Sequence, residues 1–171
     1  QTPSEIVLDA VDLNVTGAWD SEGNDLRTEQ QNDTLTVSLE QPAQPGVKQS
    51  IRLAWSCFPQ RGFVFVPPSG RAQGRTWHIW TQGQAEDTRH WMPVWDIPNE
   101  MATHELTVNL DAELESMGAG RLVDSHDFPR TGKRSETWRS DRPHVSYLIT
   151  YLAGEFARGE LPGGTVPLPV L

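Results

Sequence analysis

Cysteine is almost missing from this chain: Cys57 is the single one, so there is no internal disulfide framework. It lies in an alternating apolar pattern and reads as a small buried hydrophobe rather than a nucleophile. That leaves the compartment open. Long apolar runs are missing too. None approaches the ~18 residues that a membrane span needs. No charged segment followed by an apolar stretch opens the chain, so no signal peptide is visible. Basic residues are scarce. Lys and Arg number 14 against 23 Asp and Glu, a formal net charge of −9. This excludes a general binder of nucleic acid or anionic membrane, since both are held through an excess of Lys and Arg. The most basic region, 121–142, has six Lys/Arg against four Asp/Glu and reads as a solvated face. There is no internal repeat and no convincing amphipathic helix.

What is present is period two. Ile6, Leu8 and Ala10 alternate, then Val11, Leu13 and Val15 continue on the other parity, which predicts a bulge or bend. Residues 34–40 alternate Leu35, Val37 and Leu39, and residues 48–58 alternate Ile51, Leu53, Trp55 and Cys57. Short strands follow at 62–66 and 75–81. Residues 102–110 alternate His104, Leu106, Val108 and Leu110. A hairpin is expected around Gly118-Ala119-Gly120, with Leu114 and Ser116 leading in and Leu122 and Asp124 leading out. Residues 20–33 read as polar connection, 128–135 as a turn region and 136–140 as a short strand. Residues 145–157 are apolar on both faces and read as a central covered strand. Residues 161–171 carry three Pro and two adjacent Gly, which predicts a linker. Eight to ten short strands spaced by turns specify an all-β fold, a two-sheet sandwich or saddle of mostly antiparallel strands. With 171 residues the chain is expected to form one domain that buries roughly 70% of its unfolded surface without help from a metal or disulfide.

Catalytic signals are missing. His104-Glu105 begins a zinc-protease motif, but Val108 stands where the second His must be, and the surroundings are a strand. His78, His90, His126 and His144 have no ligand spacing. There is no nucleophile elbow and no Gly-rich phosphate loop. Glu86, Asp87 and Asp96 could form an acid–base pair, but capping and ion pairing with Arg89 is the better reading. Asp87 is placed to cap a helical turn reaching Trp91. Trp77, Trp80, Trp91 and Trp95 could instead stack on sugars, as in a carbohydrate-binding sandwich, although burial accounts better for most tryptophans.

Residues 81–98, TQGQAEDTRHWMPVWDIP, combine charge, two Trp and two Pro. Such a stretch suggests a fixed loop with polar groups aimed at a ligand. It resembles the N-terminal β domain of zinc aminopeptidases of the aminopeptidase N type, relatives of leukotriene-A hydrolase. The likeness rests on Gln82-Gly83-Gln84, Ala85 to Arg89, the turn Trp91-Met92-Pro93-Val94-Trp95-Asp96-Ile97-Pro98, and Ala102-Thr103. Ser146-Tyr147-Leu148 and Gly154-Glu155-Phe156 resemble the family's late strand. Val94 replaces a usual Cys and Ile97 a usual Glu.

The resemblance implies several things. Residues 1–160 would be this N-terminal domain, lacking its first strands, and 161–171 a linker toward a catalytic domain. Zinc and the exopeptidase motif would belong to that domain, so no metal ligand or catalytic residue is expected here. Gln84 would contact the free α-amino group of a peptide substrate, and Gln82 would line the first subsite. Pro93, Trp95, Asp96 and Pro98 would shape the turn. The partners implied are the catalytic domain and peptide N-termini. A non-catalytic scaffold of the same fold remains the alternative within the family.

Overall fold

The computed structural model describes residues 3–67 and 78–156, together with the backbone of 159–161 and 168–170. Every strand pairing is antiparallel, and apart from two single 3-10 turns the described residues hold no helix. The all-β expectation is met. The two-sheet expectation resolves, among the described residues, into four small sheets around two separate cores and a fifth, two-stranded ribbon.

The first pair of sheets uses the N-terminal third of the chain. β1 (Glu5–Asp9) pairs with β4 (Thr34–Ser38), which pairs with β3 (Thr28–Gln31). β2 (Asn14–Trp19) pairs with β5 (Arg52–Ser56). Alternation points Leu35 and Val37 inward, and both are fully buried. Ala10, Leu13, Ala18 and Leu26 complete this core, with Ile6, Leu8, Leu53 and Cys57 packed at its margin. Cys57 therefore sits beside apolar neighbours, and burial pushes its thiol pKa up, away from the reactive thiolate. The parity switch after Ala10 is a break between two strands, with Asp12 at φ 54°.

The second pair begins with β6 (Gly62–Val66) and β7 (His78–Gln82), continues with β8 (Ala102–Asp111), β9 (Glu115–Gly118), β10 (Arg121–Phe128) and β11 (Lys133–His144), and ends with β12 (Tyr151–Gly154). One sheet runs β6-β7-β12-β9 and the other β10-β11-β8. Leu110, Tyr151 and Ala153 form the core between them, joined by Ile79, Leu106, Val108 and Trp138. Burial there pushes the Tyr151 phenol up to about 12.

Several expectations need correction. The strands of the 114–124 hairpin exist but do not pair with each other: β9 joins β12, and β10 joins β11. The chain crosses between sheets at Ala119, whose N–H donates to the Thr150 carbonyl at 2.8 Å. Residues 145–157 are not one strand. Ser146–Leu148 is a 3-10 turn and only Tyr151–Gly154 is strand, central as expected. The short strand at 136–140 extends over twelve residues, because β8 and β10 supply partners along most of its length. β3 lay hidden in a polar stretch: all four residues are exposed, and pairing with β4 defines it rather than burial. The expected linker contains β14 (Leu168–Val170), paired with β13 (Gly159–Leu161). Pro169 is tolerated there because a two-stranded ribbon has only edges. Trp77 lies outside the described residues.

Gly120 closes the crossing at φ +96°, and a Cβ there would lie 2.1 Å from the Arg139 carbonyl oxygen. Gly132 also has positive φ but faces open space. Gly132→Ala should therefore cost about 1–2 kcal/mol, the left-handed penalty alone. Gly120→Ala should cost clearly more. Urea denaturation of the two variants checks the order, and equal losses would contradict the close approach.

Candidate functional site

The 81–98 stretch lies where the two halves of the fold meet. Val94 bridges to Asp9 of β1, with N–H to carbonyl bonds of 2.8 and 3.1 Å. The Trp95 indole N–H donates to the Val7 carbonyl. At the other end, the Val11 N–H donates to the Arg89 carbonyl at 3.0 Å. Trp91 packs edge-on against Phe63 at 5.6 Å, and its carbonyl accepts the Trp55 indole N–H at 3.0 Å.

Asp96 is the hub. Its carboxylate is fully buried. One oxygen accepts the Arg89 backbone N–H at 3.0 Å and the Arg89 Nε–H at 3.4 Å, and the other accepts the Ser146 hydroxyl. The Asp96 backbone N–H donates to Asp9 Oδ2 at 2.9 Å, and its carbonyl accepts Arg89 Nη2 at 3.0 Å. Arg89 also reaches Asp9 Oδ1 at 3.4 Å and Glu86 Oε2 at 2.8 Å. One guanidinium thus touches three carboxylates, a geometry its planar fork allows and a lysine's point charge does not. Pro93 and Pro98 flank this hub, and Trp95 is exposed on one side yet anchored at its indole nitrogen.

The frame holds a strand end. β7 runs out at Gln82, and Gly83 follows, buried. A Cβ on Gly83 would lie 2.7 Å from Thr88 Oγ1 and 2.9 Å from Tyr147 Cα, so only glycine lets the chain pass this close. The turn 84–87 comes next, closed by the Asp87 N–H donating to the Gly83 carbonyl at 2.8 Å. The peptide bond between Gln84 and Ala85 is cis. Gln82 and Gln84 are both exposed, and neither side-chain amide bonds another described residue. Strand alternation puts Gln82 on the same face as Trp80. Trp80 lies in register between Val64 and Leu152, with Met117 beyond.

The helical turn at Thr88–His90 is present, but Asp87 does not cap it with its side chain. That carboxylate pairs instead with Arg61 at 3.0 Å and approaches His90 at 3.7 Å. Glu86 and Asp96 do pair with Arg89 as expected. The expectation that most tryptophans are buried is not met: of the six described, Trp55, Trp80 and Trp95 are exposed and Trp19, Trp91 and Trp138 half-buried. Sequence reading missed Ser146 as an Asp96 partner and the central place of Arg89. The Thr-Arg beside an Asp seven residues on gave only a hint.

His104 and Glu105 point apart. Glu105 pairs with Arg139, while His104 Nδ1 meets His144 Nε2 at 2.8 Å. No group of three or more His, Cys, Asp or Glu among the described residues could hold a metal. The residues here therefore do not fit a zinc ion. No helix among them is long and apolar enough to cross a membrane.

A model of the peptidase M1 N-terminal domain matches residues 1–148, so the chain belongs to that family. Solved structures agree on the fold. The M1 zinc metallopeptidase from Deinococcus radiodurans superposes with a TM-score of 0.77 at 23% identity over 97% of this chain and 38% of its own. A mutant of it bound to a Tyr-Ser-Ala substrate gives 0.76 and 23% over 93% and 36%. A two-domain M1 zinc metallopeptidase mutant bound to L-tryptophan gives 0.78 and 23% over 97% and 39%. The chain thus spans less than two-fifths of these relatives. No curated protein matches it.

Two outcomes test this geometry. Asp96→Ala leaves Arg89 without its buried counter-charge and should cost about 3–5 kcal/mol, whereas Arg121→Ala, in an exposed pair with Asp141, should cost at most about 1 kcal/mol. Equal losses in chemical denaturation would contradict the hub. His104 has its pKa pushed below 6.5, chiefly by burial and next by the charge of His144, against the Ala119 carbonyl, which raises it. Its neutral form is thus favoured in the folded state. Its contribution should be complete above pH 6.5 and lost as pH falls below that value, through the folded pKa. Denaturation at pH 5 and pH 8 should show a smaller difference for His104→Asn than for the unaltered chain.

Proposed function

We propose that this chain is the substrate-anchoring N-terminal domain of a zinc metallo-aminopeptidase. In this reading Gln84 accepts a hydrogen bond from the free α-amino group of a peptide, and Gln82 lines the first subsite. The carrying observation is the pair of exposed glutamines, Gln82 at the end of β7 and Gln84 in the turn that follows, a turn tied to a buried ionic hub. An α-ammonium has only donors, so it needs acceptors, and each glutamine offers a carbonyl oxygen. A strand end held on both sides keeps such acceptors in place before the substrate arrives, which reduces the ordering cost of binding. The family match supports the reading, as does the tripeptide bound by one relative of the same fold.

The chemistry lies elsewhere in the parent protein. Hydrolysis of a peptide bond by a zinc enzyme needs a metal-held water, and no described cluster in this chain fits the metal. Zinc and the catalytic groups would come from a further domain, against which this domain would pack. Trp91 and the Pro93–Pro98 turn then act only through the frame.

Gln84→Ala in the full-length protein should lower kcat/KM for peptides with a free N-terminus by roughly ten- to hundredfold, the worth of a hydrogen bond to a charged group. N-blocked peptides should show no such difference. Unchanged kinetics on free N-termini would sink the role given to Gln84.

A further inference from the structure

We propose that Glu86 is a positioning residue for Gln84, acting through its ion pair with Arg89. This rests on the substrate-anchoring reading above and adds the element that sets the geometry of that site. The restraints on the turn 84–87 gather at its far end, on Asp87. The Asp87 N–H to Gly83 carbonyl bond closes it, and Asp87 pairs with Arg61, whose side chain is 66% exposed. Both hold the turn at Asp87, whose carbonyl also packs against Gly62 of β6. Glu86 adds a link one residue nearer Gln84, and it is the link that leads into the Asp96 hub. Its Oε2 lies 2.8 Å from Arg89 Nη2, the same nitrogen that donates to the Asp96 carbonyl at 3.0 Å. Arg89 is in turn fixed by Asp96, which is fully buried, and by Asp9. A short chain of contacts therefore runs from the interior to the residue two positions after Gln84.

Sequence spacing alone does not require this. Glu86 and Arg89 are three apart and flank the start of a 3-10 turn, where such a pair would ordinarily be a solvated surface contact. Here the arginine is mostly buried and committed to other partners, while the glutamate is 53% exposed. The arginine's position is already fixed by its other carboxylates. The ordering cost of the pair then falls on the glutamate and its turn, the opposite of an isolated surface pair in which both side chains must be immobilised. Removing the carboxylate of Glu86 leaves the Asp96 hub intact and frees only the turn.

The test is a double-mutant cycle in the full-length enzyme, with kcat and KM measured on a peptide that has a free N-terminus. Glu86→Gln alone should lower kcat/KM by about two- to fivefold, the scale of an exposed ion pair, with the melting temperature nearly unchanged. In the Gln84→Ala background the same change should have no further effect, because the group it positions is gone. Glu86→Asp should recover less than half of the loss, since a shorter side chain cannot span to Arg89. If Glu86→Gln leaves kcat/KM unchanged while Gln84→Ala lowers it, the positioning role is overturned and the anchoring reading stands. If the two effects multiply, Glu86 acts on the substrate directly and the proposal is again overturned. If Gln84→Ala itself has no effect, the anchoring reading fails, and this proposal with it.

Discussion

A buried carboxylate must be answered by donors, and that constraint organises this fold. Taking an ion such as Asp96 out of water costs several kcal/mol even after relaxation, and only close hydrogen bonds and an opposite charge repay it. The donors are Arg89, on the 3-10 turn seven residues earlier, and Ser146, which leads into β12 of the second unit. Asp9, at the end of β1 in the first unit, ties the network to that unit by accepting the Asp96 backbone N–H and pairing with Arg89. Among the described residues the two cores share no buried apolar residue. Alongside the Val94 bridge and the contacts of Trp55, Trp91 and Trp95, the Asp96 network is what sets one unit against the other. It is directional, unlike an apolar contact, and fixes rotation as well as distance.

Gln82 shares that fixity, and Gln84 follows it in the turn beyond Gly83. β7 is central in its sheet, paired with β6 on one side and β12 on the other, and its end is where the pairing stops. Groups placed on such strand ends are held more tightly than groups on free loops. Gly83 continues the same logic: the backbone passes so near Thr88 and Tyr147 that any side chain would push it away. The packing that excludes a Cβ fixes the backbone between the two glutamines.

Much of this was legible because alternation reports burial. Leu35 and Val37 could be placed in the core from the pattern alone, and they are. Alternation does not report pairing, and the misassigned strands have that origin. β3 is polar on both faces and exists only because β4 needs a partner. β9 and β10 carry a hairpin's spacing yet serve different sheets, a choice made by Trp138 and Tyr151 far along the chain. Residues 145–150 look like strand because their apolar side chains alternate, but the Ser146 hydroxyl is taken by Asp96 and the backbone turns to deliver it. The glutamines themselves were reached by resemblance. No period or spacing marks an exposed Gln as a ligand group, since its meaning depends on what holds it.

The charges around the turn sharpen what kind of recognition this site could offer. Glu86 and Asp87 stand next to Gln84, and at first sight they would attract an α-ammonium. Each is already answered, Glu86 by Arg89 and Asp87 by Arg61. Arg89 also answers Asp9 and Asp96, however, so two guanidiniums face four carboxylates and the turn keeps a negative surplus, screened in water beyond a Debye length of about 8 Å. In the proposed anchoring role a neutral glutamine would supply direction, selecting an amine by where its lone pairs lie. The attraction would come from that surplus and from groups of a catalytic domain. Separating the two tasks has a physical advantage: the orienting acceptor need not carry the desolvation cost of a free carboxylate, so it can sit against a close-packed strand end without loosening it.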